Sequence, residues 1–297
     1  MTDKDGDYLV RAISSDRQIR ALAVRSTGVV REARRRHDTT VLSTAALGRV
    51  LTGSLLISAM LKSGLWTELR VEGEGPLGSI LAEGNLYGQV RGYVQNPGVE
   101  LPLTDEGKID VARGIGPGTL TVRKNLDLKD PYQGSVELIS GEIGEDLTYY
   151  FTQSEQTPSA VGLGVMVESD LTVAAAGGFI VQLMGGAEDD AVKMLEENVN
   201  RIHSVSELIA EGIKPEELLD RLFGDLRFRI LAETEVEFRC RCSRERTREM
   251  VKSLPPEDLK EVLEEQKRVE IRCQFCNESY EFLEEEAREI LDEIESS

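Results

Sequence analysis

Cysteine is scarce in this chain of 297 residues: there are four, and none before position 240. A disulfide-stapled scaffold would carry more of them, spread through the fold, so that class is excluded. Histidine is rarer still, with only His37 and His203. His37-Asp38 could be half of a catalytic triad, but neighbours in sequence do not face one another, and no G-x-S-x-G elbow occurs. His203 falls where a helix should end, a favourable place for a cation near the dipole. Basic residues are outnumbered, 35 against 54 acidic ones, for a formal net charge of −19. That balance argues against nucleic acid as the main partner, because phosphate binding draws on a Lys/Arg surface. Long apolar runs are missing too. The stretch from Leu171 to Ala187 is short for a membrane span and is broken by Gln182 and four glycines. It reads as a buried strand and turn, and no membrane partner is expected. The first residues, Met1 to Asp7, are acidic and lack the apolar core of an export signal. Cysteines at metal spacing without such a signal point to a reducing, cytoplasmic setting.

Gly114-Ile-Gly116-Pro117-Gly118 looks like a phosphate-cradling loop, yet the residues behind it, Thr119 to Val122, alternate as a strand. A phosphate loop needs a helix N-terminus there, so this is read as a turn between strands. No enzyme site emerges from the sequence.

What is present is a pattern of cysteines. Cys240-Arg241-Cys242 and Cys273-Gln274-Phe275-Cys276 are two close pairs separated by thirty residues. Two such pairs match a single tetrahedral Zn²⁺ bound by four thiolates, one ion per reduced chain. Val236, Phe238, Cys240 and Cys242 alternate, which predicts a strand. Val269 and Ile271 leading in, with Tyr280 and Phe282 leading out, predict a hairpin around the second pair. Four unrelated core cysteines would not cluster in this way. The C-x-C spacing of the first pair leaves two readings open. A disulfide across one residue is cramped and easily reduced, which suits a reversible switch; alternatively, C-x-C is only a tighter zinc turn. Arg239, Arg241, Arg244, Arg246, Arg248 and Lys252 crowd this pair, and charge balance for the thiolates is their expected role.

Along the chain, the pattern predicts an α+β fold. Residues 8–24 alternate as strands, and a helix is expected from about Thr40 to Lys62. From Leu65 to Phe151 short alternating runs, including Tyr149 and Phe151, predict a mostly antiparallel sheet. Gly73, Gly75, Gly84, Asp130-Pro131 and Gly134 are the expected turns. This core domain is expected to span residues 1–184. A helical, metastable linker over 185–233 follows: Val192, Leu195, Val199 and Ile202 mark one helix, Ser204-Val205-Ser206-Glu207 a capping box, and Pro215 to Gly224 a third helix. Helices this short need docking to persist. A zinc-binding domain over 234–297 ends in an acidic helix from about Glu284 to Ile294.

Taken together, these residues resemble the 33-kilodalton heat-shock protein family, the bacterial redox-regulated chaperone holdases. The resemblance rests on Asp130-Pro-Tyr-Gln-Gly134, Ser140-Gly-Glu142, Tyr150-Phe-Thr-Gln-Ser-Glu-Gln156, Ser159-Ala-Val161 and Gly177-Gly-Phe-Ile-Val-Gln182. In the tail it rests on Cys240-Arg-Cys-Ser-Arg-Glu-Arg246 and Cys273-Gln-Phe-Cys-Asn277 with Tyr280 and Phe282. One departure is Gly185-Gly186, where the family pattern has proline after Leu183-Met184. The resemblance implies an inactive zinc form held by Cys240, Cys242, Cys273 and Cys276. It implies that oxidation forms the disulfides Cys240–Cys242 and Cys273–Cys276 and releases the metal. The oxidised form would be a homodimer that binds unfolded or oxidatively damaged client proteins. The linker residues Leu208, Leu218, Leu219, Leu222, Phe223, Phe228 and Ile230 are the expected client surface. The competing readings are a constitutive zinc-ribbon module of a nucleic-acid or protein-assembly factor, and a thiol oxidoreductase working through one C-x-x-C. Zinc release on mild oxidation separates the first from the switch.

Overall fold

The alternation over residues 8–25 becomes two antiparallel strands, β1 (Tyr8–Ser14) and β2 (Ile19–Arg25), with Tyr8 opposite Arg25. The computed structural model describes residues 6–63, 66–125, 131–186 and 189–295. β9 (Val173–Leu183) pairs with β2, β8 (Ser159–Val167) pairs with β9, and β10 (Phe228–Glu235) closes the far edge on β1. The result is an antiparallel five-stranded sheet in the order β10-β1-β2-β9-β8. A second sheet runs β11-β5-β4-β3-β6-β7. Its strands are β3 (Trp66–Gly73), β4 (Ser79–Gly84), β5 (Gln89–Val94), β6 (Gly118–Asn125), β7 (Tyr132–Glu137) and the two-residue β11 (Glu237–Phe238). All pairs in it are antiparallel except β11 on β5. The α+β class and the mostly antiparallel sheet expected from the sequence are both present.

Helix α2 (Val41–Ser58) packs on strands of both sheets. It is long and apolar enough to cross a membrane by composition, but nearly all of it is buried within the protein. A helix apolar all round is what a position between two sheets requires. Its N-terminus is capped by Thr40, whose side chain accepts from the Ser43 N–H at 3.3 Å. A separate helix, α1 (Thr27–His37), precedes it and was not expected. Its buried face is only Val29, Val30 and Ala33, and the arginine run from Arg34 to Arg36 hides that face in the pattern.

Three further expectations need correction. Gly114 to Gly118 does not join two strands: α3 (Val111–Ile115) leads into β6. Tyr149 and Phe151 lie on a helix, α4 (Gly144–Gln153), in which Tyr150 and Phe151 are buried. Gly134 is not a turn but sits inside β7 opposite Val122. A Cβ there would lie 2.3 Å from Ser154 Oγ and 3.0 Å from the Tyr150 ring, so glycine lets α4 close on the strand. Asp130 of the expected Asp130-Pro131 turn, together with Leu65 and Ala187, lies outside the described residues.

After β9 come α5 (Asp189–Asn200), α6 (Val205–Ala210) and α7 (Pro215–Phe223). Ser204 caps α6 by accepting from the Glu207 N–H at 3.3 Å. α7 starts at proline and stops at Gly224, whose φ of 55° suits a residue without a Cβ. The chain divides into two compact units, Met1–Arg239 and Cys240–Ser297. The second contains α8 (Arg244–Lys252), α9 (Pro256–Gln266), the hairpin β12 (Arg268–Arg272) and β13 (Ser279–Leu283), and α10 (Glu284–Glu295). Val251, Leu259, Leu263, Val269, Phe282, Ala287, Ile290 and Leu291 form its small core.

Candidate metal centre

The hairpin that brings Cys273 and Cys276 together is the one expected, with Val269 opposite Phe282 and Ile271 opposite Tyr280. Its loop closes on itself. The Asn277 N–H donates to the Cys273 carbonyl at 2.7 Å, and the Cys273 N–H to the Glu278 carbonyl at 2.8 Å. Asn277 has a φ of 59°, a left-handed conformation that asparagine tolerates better than most side chains. The loop also turns the Phe275 and Glu278 N–H groups toward the sulfurs of Cys273 and Cys276.

The first pair is placed differently from expectation. Val236 to Cys242 is not one strand: the strand is Glu237–Phe238, its backbone bonding continues only to the Arg239 N–H on the Val90 carbonyl, and Cys240 and Cys242 lie in an irregular stretch before Ser243 caps α8. Alternate residues of an extended chain point the same way, so the C-x-C spacing delivers both sulfurs to one side without a ladder.

The four sulfurs lie within 4.8 Å of one another. Cys240 Sγ is 3.7 Å from Cys273 Sγ, and Cys242 Sγ is 3.3 Å from Cys276 Sγ. Tetrahedral zinc with sulfur at about 2.3 Å needs sulfurs about 3.8 Å apart, so the donor set is close enough to hold such an ion. None of the four cysteines is joined in a disulfide, and Cys276 is buried. Burial pushes the Cys273 and Cys276 thiols up, and the charge of Cys240 adds to the effect on Cys273. A crowded group of thiols resists ionisation by itself, and a dication is the partner that lets all four become thiolates. Tyr280 adds a side-chain contact, donating from Oη to Cys242 Sγ at 3.2 Å.

The basic cluster does not serve only the sulfurs. Arg248 pairs with Glu293 at 2.6 Å, Lys252 with Glu293 at 2.9 Å, and Arg244 with Glu286, all on α10. The Arg244 guanidinium also lies 4.7 Å from the centre of the Phe282 ring. These cations fasten α8 to α10, a role that the sequence reading assigned instead to thiolate balance.

With that geometry in place, likeness to known proteins is informative. The family model described as Hsp33 protein matches residues 7–283. The 33 kDa chaperonin of Geobacillus kaustophilus (strain HTA426) is 49% identical over 278 residues, which is 93% of this chain and 95% of the relative. The 33 kDa chaperonin of Latilactobacillus sakei subsp. sakei (strain 23K) is 46% identical over 289 residues, 97% of this chain and 99% of the relative. This chain belongs to the Hsp33 family. A crystal structure of the 33 kDa chaperonin from Thermotoga maritima matches it with a TM-score of 0.92 at 39% identity, covering 98% of this chain and 99% of that one.

In this Hsp33 family member the leucine-rich segment is largely covered. Leu218, Leu219, Leu222 and Phe223 are buried, with Leu208 and Phe228 packed against them. Phe228 stacks on Phe223, ring centres 4.5 Å apart. Ile230, on the edge strand β10, is instead 53% exposed. Core contact of this segment with the N-terminal domain was one reading of the sequence, and the surface it meets is one face of the five-stranded sheet, carrying Tyr8, Val10, Ala12, Ile19, Phe179 and Val181. Leu9, Leu22, Val24 and Ile180 of the same strands belong to the main core. Near-continuous apolar runs such as Ala21 to Val24 were the available signal, because strands buried on both faces lose their alternation. Tyr8 donates to Glu216 on α7 at 2.8 Å, and Asn198 on α5 donates to the Leu222 carbonyl at 3.2 Å.

Proposed function

We propose that this chain is a redox-regulated molecular chaperone, a holdase that binds unfolding proteins and prevents their aggregation under oxidative stress. The family and the names of its relatives support a chaperone. The observation that carries the redox reading is the group of four sulfurs at the base of a unit with a small core. Cys240, Cys242, Cys273 and Cys276 would hold one Zn²⁺ in the reduced protein. Bound there, the ion supplies a cross-link between chain positions more than thirty residues apart, worth about 10–16 kcal/mol of folding free energy in small zinc peptides.

Two-electron oxidation of each thiolate pair by a peroxide would form a disulfide and two hydroxides, which take two protons from solvent and leave as water. Disulfide sulfurs carry no charge and would no longer hold a cation, so the site would lose its zinc. The pairing proposed, Cys240–Cys242 and Cys273–Cys276, follows the family resemblance. Sulfur contacts of 3.7 Å and 3.3 Å run between the two motifs, so peptide mapping of the oxidised protein is part of the test.

A unit of fewer than sixty residues with a core of eight buried side chains is marginal without its metal. Its unfolding would leave the chain beyond Arg239 unanchored, and the switch requires that β10 then loosen from β1 and take α5 to α7 off the five-stranded sheet. Leu208, Leu218, Leu219, Leu222, Phe223 and Phe228 would then join Ile230 as the client surface. The net charge of −19 would keep that state soluble, and the oxidised form would be a cytoplasmic homodimer.

Zinc content and suppression of a denatured protein's aggregation, both measured before and after peroxide, test the proposal. One zinc and weak suppression in the reduced form should give way to no zinc and strong suppression. Equal suppression in both forms, or zinc retained after oxidation, refutes it.

A further inference from the structure

We propose that Tyr280 is a positioning residue for the redox response: its phenol holds the Cys242 sulfur and sets how readily that sulfur gives up the metal to oxidation. The inference rests on the function proposed above. Tyr280 lies on β13 opposite Ile271, and its Oη reaches Cys242 Sγ at 3.2 Å across 38 residues of sequence. Its ring is half-buried against the same apolar core as Phe282, two positions along and on the same face of the strand. Packing therefore fixes the ring, and a phenylalanine would pack there equally well. The hydroxyl's visible use is the sulfur.

The other donors to the cluster have a different origin. Cys273 and Cys276 are approached by the backbone N–H groups of Phe275 and Glu278, which any sequence folding into this loop would provide. The bond to Cys242 comes from a side chain, so it is adjustable by a single substitution. Cys242 is also partly exposed, whereas Cys276 is buried, so a small oxidant can reach it. A thiolate that accepts a hydrogen bond is a weaker nucleophile and a better-stabilised ligand.

The step that Tyr280 restrains is attack of the Cys242 thiolate on a peroxide oxygen, giving a sulfenic acid and hydroxide. The Cys240 sulfur then displaces a second hydroxide from the sulfenic sulfur and closes the disulfide. Two electrons pass to the peroxide, and the two hydroxides take up two protons to leave as water.

The test is Tyr280→Phe in the full-length reduced protein, with Tyr87→Phe, 72% exposed, as a control for loss of a phenol. In cobalt-substituted protein the sulfur-to-metal charge-transfer band should move to longer wavelength, because a sulfur freed of its donor is easier to ionise. Zinc release under excess peroxide should accelerate by roughly tenfold, the low end of the effect usual for groups that support metal ligands. Thermal melting of the reduced protein should be unchanged. An unmoved band with an unchanged release rate overturns the inference. Faster release with an unmoved band and a lower melting temperature overturns it as well, since the variant is then merely looser. If wild-type protein binds no cobalt through sulfur, or keeps its zinc in peroxide, the function proposed above falls too. A responsive wild type with an identical variant removes the Tyr280 role alone.

Discussion

The Asp7 carboxyl is buried at the N-terminus of α1, where it accepts from the Val29 N–H at 2.8 Å and lies 4.0 Å from Arg25. Burial raises its pKa from 3.8 to about 6, against the opposing pull of the Val29 N–H and of Arg25. A folded-state value above the unfolded one means that the folded protein binds the proton more tightly. The associated stability is fully present below about pH 4 and is lost as pH rises through about 6. Asp7→Asn should flatten this dependence: the denaturant midpoint of wild type, relative to the variant, should fall between pH 4 and pH 7. A difference that stays constant across that range would show that the Asp7 carboxyl titrates normally.

At the scale of single elements, α4 depends on one carboxylate. Asp146 is fully buried and accepts from Ile139 and Ile143 N–H at 2.8 Å, from Ser140 N–H at 3.0 Å and from Gly141 N–H at 3.3 Å. It thereby closes the Ser140-Gly141-Glu142 turn and caps the helix in one step. Asp146→Ala would strand several buried donors, at a cost of about 3 kcal/mol or more. Urea unfolding should show a correspondingly lower midpoint, and Asp146→Asn should recover part of the loss because it keeps one acceptor oxygen. A loss under about 1 kcal/mol would mean that the turn finds other partners. Helix α7 shows the opposite dependence: its local signals, proline at the start and glycine at the end, are good, but its nine residues are too few to persist alone. Docking of Leu218, Leu219, Leu222 and Phe223 supplies the rest.

Across the whole molecule, the proposed switch requires that metal loss in Cys240–Ser297 be felt in α5 to β10. Hydrogen exchange on reduced and oxidised protein is the direct measurement. Amides from about Ser204 to Ala232 should gain fast exchange on oxidation, while α2 and the strands from β1 to β9 keep their protection. Leu219→Ser with Leu222→Ser should expose the same segment in the reduced protein, since each removes a fully buried leucine worth about 2–5 kcal/mol. Protection of this segment that survives zinc loss would break the link between metal and client surface.

Sequence alone determined what local chemistry can write down. The paired cysteines, the hairpin carrying the second pair, the proline and glycine bounding α7, the serine cap of α6 and the final acidic helix all rest on residues within a few positions of one another. Periodicity also gave the α+β class, because alternation and helical spacing are local signals. Tertiary structure decided the rest. Tyr149 and Phe151 alternate like strand residues but lie on α4, where Asp146 fixes a helix start that no spacing rule announces. Gly134 looked like a turn until α4 was seen to need its missing Cβ. Arg244 and Arg248 turned toward carboxylates on α10, about forty residues away in sequence, and Tyr280 found Cys242 across a similar gap. In each case the deciding partner lies far off in the chain, and only folding brings such partners within hydrogen-bonding or van der Waals distance.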